Sequence, residues 1–408
     1  MHLRIKNRLS LESDILIFSI AFFYILASAL LSPIYPLFVK NIVGKEAYVG
    51  FVISFIGLAW LITTFIADRL IYKIGKTYLL KISLLGMGVS FLALMYVNTI
   101  YTLLIIEFFR TLFSAAALLI SSLMVRDSTT KNNIGKTEGI FFVVSNFSWL
   151  IGPFVGGIIA QAYGFKAMFF ISGLFCFVSF FLSSNKSIKF KIIKNETKGE
   201  FFKNFKDYFK NKELAVVYLL SVALAFWWVF IYTYTPLYLI SLGEKTIGYV
   251  LFALVIPLLI LEIPVGRLAD KWSYKWLMFI GFSLMSFIAL LLYLNGSLYF
   301  YIILIILGSL GAAMIEPLRE AYLFKIIKIK DERRFLTIFR TGYEIGYLAA
   351  PLIYSFVLIN NGTNYTQLFL IIAIIIFLFG LTCLFLKEHN RLKKRVIVSN
   401  IKKYNGTS

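Results

Sequence analysis

Twelve stretches of about 20 residues, each nearly free of charge, constrain this chain more than any other feature. They fall at 15–38, 48–68, 77–97, 102–125, 139–163, 167–184, 214–239, 247–267, 276–294, 298–323, 336–359 and 367–386. That length of apolar chain crosses the hydrocarbon core of a bilayer, where each backbone polar group must be satisfied inside its own segment, so the runs read as helices. A transmembrane barrel would alternate apolar and polar residues, and these runs do not. With 60% hydrophobic and 15% charged residues among 408, too little polar surface remains for a soluble domain. The first run is too long for a cleaved leader and opens a series of spans. The expectation is an all-α membrane protein of twelve transmembrane helices.

The formal charge of +21 invites a nucleic-acid reading, and its distribution refuses it. Of 41 Lys and Arg, 33 lie before the first span, in the loops after every second span, or in the tail. The opposite loops hold Lys40, Lys45, Lys166 and Lys245, while Lys81, Arg110, Arg319 and Arg340 lie within spans. That is the positive-inside asymmetry, and it predicts cytoplasmic termini in the plasma membrane and no nucleic-acid partner. Cys176 and Cys383 each fall in a span, so no disulfide framework is indicated. His2 and His389 lie in the termini, leaving no intramembrane imidazole for a metal.

The longest loop, 185–213, divides six spans from six and carries nine lysines. Its segment "EFFKNFKDYFKNK" sets aromatics at helical spacing opposite lysines, reading as an amphipathic helix on the anionic cytoplasmic leaflet or as a solvated linker. The expected organisation is a six-helix bundle at 1–184, the basic linker at 185–213, a second bundle at 214–386 and a basic tail at 387–408. The halves repeat. A shift of 198 residues carries Gly50 onto Gly248, Arg69 onto Arg267, Lys73 onto Lys271 and Pro153 onto Pro351 without a gap. The first helix of each half needs a shift of 200, which matches "PLF" at 36–38 to "PLY" at 236–238. Both halves run the same way, a parallel repeat of the kind built into secondary transporters.

Motifs then name a resemblance. The stretch "GRLADKWSYK" has Gly266, Arg267, Asp270 and Lys271, and "LIGPFVGGIIAQAYGF" has Gly152, Pro153, Gly156 and Gly157. With the arginine of "EFFRTLFSAAA", Arg110, the chain resembles the major facilitator superfamily over nearly its whole length, and most of all its proton-linked exporters of small molecules. The other copy of the first motif, "TFIADRLIYKIGKTYLL", looks damaged. In the repeat register Asp68 aligns with Gly266, Arg69 with Arg267, Lys73 with Lys271 and Gly75 with Ser273, so the acid has moved back one helical turn. The glycines of the Gly152–Gly157 motif allow close helix approach, and Pro153 removes a backbone donor.

Intramembrane charges are costly and are read as functional by default. Glu107, Glu262, Glu316 and Glu344 are the candidates for proton coupling, with Glu316 and Glu262 first because they exceed the arginines that could neutralise them. Intrahelical pairs such as 107 with 110, 316 with 319 and 340 with 344 could equally be structural. The resemblance implies a cavity lined by the first, fourth, seventh and tenth spans. Ser28, Ser32 and Tyr35 share a face there, the 200 shift carries them to Trp228, Tyr232 and Thr235, and Arg110 and Arg319 complete the candidate substrate set. No phosphate-cradling glycine loop appears, so the expected driving force is a proton gradient with no cofactor and no enzyme chemistry. The expected activity is proton-coupled efflux of a small amphipathic solute by a monomer. The alternative is uptake of a sugar, amino acid or organic anion.

Overall fold

The computed structural model describes residues 2–128, 134–184, 201–244, 246–294, 297–328, 331–362 and 364–388. The side chains of 2–14, 67–69, 72, 126–128, 134–139, 142, 201–202 and 332–333 lie outside that description, as do His2 and His389. Among the described residues the secondary structure is helical. The helices are α1 (His2–Ala29), α2 (Tyr35–Val43), α3 (Glu46–Ile74), α4 (Lys76–Leu94), α5 (Ile100–Ser128), α6 (Ile134–Ser183) and α7 (Phe201–Phe209). After these come α8 (Lys212–Val229), α9 (Thr235–Ser241), α10 (Ile247–Lys271), α11 (Tyr274–Leu294), α12 (Leu298–Ile326), α13 (Glu332–Asn360) and α14 (Tyr365–Leu381).

Ten helical segments among the described residues are long and apolar enough to cross a membrane, where the sequence predicts twelve. The difference sits in two places. Val143–Ser183 is one apolar stretch of 41 residues, but its backbone leaves the helical conformation at Gly164 (φ 77°, ψ −179°), so the expected fifth and sixth spans are two helices meeting at that kink. The first expected span is broken, leaving Ile15–Ala29 as a shorter apolar helix before α2.

That break has a sequence cause. Pro33 and Pro36 cannot donate backbone hydrogen bonds, and the turns around them tighten: Leu31 N bonds Ser28 O at 3.2 Å and Ile34 N bonds Leu31 O at 3.1 Å. The repeat-equivalent place in the second half, Phe230–Tyr234, is loose instead. One wide turn forms there, with the Thr235 amide donating to the Phe230 carbonyl five residues back, and Pro236 follows at the start of α9. The expected second span also changes at its end. Helix α3 continues to Ile74, through the motif, and stops at Gly75 with φ 85°.

The described residues form two compact units. One comprises Met1–Glu200, Val229–Phe252 and Tyr347–Thr363; the other comprises Phe201–Trp228, Ala253–Gly346 and Asn364–Ser408. In the first, α1 lies along α6, and α4 packs on α5 and α6. Hydroxyls from α6 reinforce this seam, Ser148 Oγ donating to Phe22 O at 3.3 Å and Ser179 Oγ to Ile20 O at 3.0 Å. In the second, α11 packs against α12 and α14, and Ser286 Oγ donates to Ala373 O at 2.7 Å.

Helix α7 forms where the linker sequence predicts an amphipathic helix. Its aromatic stripe is covered by protein: Tyr208 is fully buried, 5.5 Å from the Phe335 ring, and Phe209 lies 5.0 Å from Tyr218. Lys203, Lys206 and Lys210 stay exposed. The Lys210 ammonium, hydrogen-bonded to Asp207, holds that carboxyl below the usual carboxylate range, and burial pushes the Tyr208 phenol up.

Candidate functional site

The candidate residues gather in three places. In the first unit, Glu107 and Arg110 face each other one turn apart on α5. Arg110 Nε donates to both carboxylate oxygens, at 2.9 and 3.0 Å, and Nη2 to Oε2 at 2.6 Å. Glu107 is wholly buried, so this bidentate clamp cancels a charge that would otherwise stand alone in apolar surroundings. The Tyr35 ring lies 5.8 Å from the guanidinium and the Phe91 ring 5.4 Å. Ser28 and Ser32 turn their hydroxyls back on α1, Ser28 Oγ to Tyr24 O at 3.4 Å and Ser32 Oγ to Ala29 O at 2.9 Å.

In the second unit, Arg319 on α12 has a different setting. Its Nη1 donates to Ser221 Oγ on α8 at 3.0 Å, and its guanidinium lies 5.1 Å from the Phe339 ring and 5.7 Å from Tyr343. Its Nε is buried with no hydrogen-bond partner. Glu316, one turn earlier, lies within electrostatic reach of Arg319 and Glu320, with the Trp228 indole beside its carboxylate, and Glu262 on α10 lies within electrostatic reach of it. Trp228 is buried; Thr235, which belongs to the first unit, is buried too, its hydroxyl donating to Phe230 O at 3.4 Å. Glu344 lies within electrostatic reach of Tyr218, which shares a hydrogen bond of 3.2 Å with Thr341. Sequence reasoning missed Ser221, Phe339 and Tyr343. The last two are spaced i, i+4 on α13, the one signal that could have found them.

The glycine motif occupies the third place, in the first unit. A Cβ built on Gly152 would meet Ala29, and one on Gly156 would meet the Leu30 carbonyl, so both glycines admit the end of α1. A Cβ on Gly157 would lie 2.8 Å from Gly248 Cα, and one on Gly248 would lie 2.8 Å from Pro153 O. The repeat exchanges this contact. Gly50, the partner of Gly248, is pressed against the carbonyl of Pro351, the partner of Pro153, together with the Tyr234 hydroxyl and Ser355 Oγ. Tyr234 in turn donates to Pro351 O at 3.1 Å. Tyr232 meets the same helix as Pro153, its ring 5.7 Å from Trp149.

The basic motifs stand at helix ends. Asp270 accepts from Lys325 Nζ at 2.9 Å and from the Tyr274 hydroxyl at 2.8 Å, while Arg267 and Lys271 are exposed beside it. An added Cβ at Gly266 would meet nothing within 4 Å, so that glycine serves no close packing here. Gly75 and Ser273 hold equivalent places by different chemistry: Gly75 takes a positive φ, and Ser273 Oγ accepts from the Trp276 amide at 3.4 Å. Lys73 is exposed, and the side chains of Asp68 and Arg69 lie outside the described residues. No group of three or more metal-ligating side chains occurs among the described residues.

Known proteins place this arrangement. An uncharacterised MFS-type transporter of Methanocaldococcus jannaschii is 23% identical over 378 residues, covering 90% of this chain and 97% of that one. The multi-drug resistance efflux pump PmrA of Streptococcus pneumoniae is 26% identical over 159 residues, 38% of this chain and 40% of the pump. Two solved structures share the fold at low identity. The nucleoside transporter NupG superposes with TM-score 0.78 at 11% identity, over 91% of this chain and 98% of that one. The POT family transporter PepTSo gives 0.77 at 12%, over 92% and 97%. Residues 17–259 and 240–400 match the Major Facilitator Superfamily, and the chain is a multi-span membrane transporter belonging to that family.

Proposed function

We propose that this transporter is a proton-coupled exporter of small amphipathic solutes, working as a monomer in the plasma membrane. Two six-helix halves, 1–184 and 214–386, would rock about a central site, with twelve spans and both termini cytoplasmic. The linker at 185–213 and the tail at 387–408 would lie on that same side, with the lysine face of α7 turned to anionic headgroups. No cofactor is required, because the gradient supplies the energy.

The observation that carries the reading is the exchanged glycine contact. Gly157 against Gly248, with Gly50 against Pro351, puts side-chain-free surface at equivalent places in both repeats, so helices there can slide without withdrawing interlocked side chains. The efflux function of the pneumococcal relative and the preserved Gly152, Pro153, Gly156 and Gly157 support the outward direction. Glu316 and Glu262 are assigned the proton, because they lie within electrostatic reach of each other and Glu316, though near Arg319, is not clamped by it as Glu107 is by Arg110.

A thermal-shift screen of amphipathic compounds supplies a ligand, and proteoliposomes with a trapped pH dye then report coupling. Addition of that ligand should move protons against its own direction in the native protein. The proton assignment fails if Glu316→Gln and Glu262→Gln both leave the coupled flux unchanged. Arg319 favours a second reading, in which the solute is an organic anion and movement may be inward or outward according to the gradient imposed.

A further inference from the structure

We infer that the Arg319 fork in the second unit is a recognition subsite for a carboxylate carried on an apolar, aromatic-sized body. The inference rests on the transporter reading for why such a compound should arrive, and not on the direction of transport or on proton coupling.

The argument starts from what an arginine in a membrane helix requires. A guanidinium has five N–H donors and no acceptor, and it keeps its charge under all physiological conditions. Inside a bilayer protein that charge is costly unless an anion or several acceptors meet it. Arg110 shows one way of meeting the requirement, with three short hydrogen bonds to a buried carboxylate. Arg319 is not met in that way. Its hydrogen bond goes to one neutral hydroxyl, Ser221 Oγ, at 3.0 Å, and that hydroxyl itself donates to Val217 O at 3.1 Å. The buried Nε has no acceptor, and no carboxylate oxygen of the described residues lies within 4.0 Å of the guanidinium nitrogens.

Local geometry does not forbid a pair. Glu316 stands at the spacing from Arg319 that Glu107 has from Arg110, and that spacing supports a bidentate clamp in α5. In α12 the carboxylate lies within electrostatic reach of Arg319 with the Trp228 indole beside it, and no clamp like that of α5 forms. The resident acid acts on Arg319 electrostatically without closing a salt bridge on it, and the guanidinium keeps an Nε donor without an acceptor among the described residues.

The surroundings describe the rest of the ligand. The Phe339 and Tyr343 rings lie 5.1 and 5.7 Å from the guanidinium carbon, and Trp228 stands at the neighbouring acid. Aromatic faces flanking an arginine hold its plane and offer apolar surface, a setting for an anionic group on a hydrophobic body. A phosphate or sulfate would bring more charge towards Glu316 and Glu262 than a monocarboxylate, so the single charge is the better match.

The test uses three isosteres: 3-phenylpropionate, its neutral amide and 3-phenylpropylamine. Binding is measured by isothermal titration to the purified full-length protein in detergent micelles, where no gradient exists. Failure of proton coupling therefore leaves this readout intact, and failure here leaves the flux assay intact. The acid should bind at least about tenfold more tightly than the amide, and the amine more weakly still, as expected for a charge-assisted contact. Arg319→Gln should erase the difference between acid and amide. Arg319→Lys, which keeps the charge and loses the fork, should weaken the acid by about tenfold. Equal binding of acid and amide by the native protein overturns the inference, as does a preference for the amine, which would mark a cation site at Glu316. A preference that survives Arg319→Gln has the same force. Should the glutamine variant not accumulate, unchanged affinity of Arg319→Lys for the acid is equally decisive against it.

Discussion

In α5 a glutamate and an arginine three residues apart close on each other; in α12 the same two residue types at the same spacing do not. Repeat equivalence places Glu107 at the position of Ile305, so Glu316 stands eleven residues further on, about three turns along the same face. The local code is shared, and the outcome is set by what each helix packs against. Arg110 has Tyr35 and Phe91 rings beside it and turns to its own glutamate. Arg319 donates to Ser221, while Glu316 stays within electrostatic reach of Arg319 without a salt bridge to it. The pair in α5 is a closed structural element, and the pair in α12 is held apart.

The positions equivalent to Arg110 tell the same story in volume. Where the first half has Ala27 and Arg110, the second has Trp227 and Gly308. A methyl group added at Gly308 would lie 2.6 Å from the Trp227 indole, so the ring fills the space that a side chain at 308 would need. A small-and-large arrangement has been exchanged between helices, and with it the charge has left that level of the second half.

The sharpest way to break this comparison is to remove each glutamate in turn. Glu107→Gln leaves Arg110 buried without its counter-charge and should cost about 3–5 kcal/mol, read as a large drop in apparent melting temperature or failure to accumulate. Glu316→Gln should cost less than about 1 kcal/mol, since Arg319 makes no salt bridge or hydrogen bond with the acid and Ser221 keeps its contact. Equal losses in the two variants would show that Arg319 is paired after all. Next in size is Gly308→Ala, expected to destabilise by about 1–3 kcal/mol through overpacking. Trp227→Leu should relieve it in the double variant, and additivity of the two single effects would refute the volume exchange. Smallest is the contrast between equivalent helix ends. Gly75→Ala should cost about 1 kcal/mol because alanine resists a φ of 85°. Ser273→Ala, losing only a long cap bond, should shift the melting temperature less.

Much of the architecture was legible before any coordinates. Apolar length gave helices, and offsets of 198 and 200 residues anticipated the exchange of Gly50–Pro351 with Gly248–Pro153. What was not legible has local and non-local causes. The break at Leu30–Ile34 was hidden because hydropathy ignores backbone donors, although Pro33 and Pro36 were in view. The tight kink by which the fifth span passes into the sixth turns on the freedom of one residue, Gly164. The aromatic stripe of α7 was expected on the lipid leaflet and is covered by protein instead, because amphipathicity specifies an apolar partner without saying which.

The sequence by itself determined the class, the helical segments, the parallel repeat and the motif glycines, because each depends on periodicity or on a constant offset along the chain. Only the tertiary structure decided that Glu107 closes on Arg110 while Glu316 makes no salt bridge with Arg319 and leaves an Arg319 donor open. Partner choice among buried charges depends on distances between helices remote in sequence, and in a low-dielectric interior those distances decide which donors are satisfied.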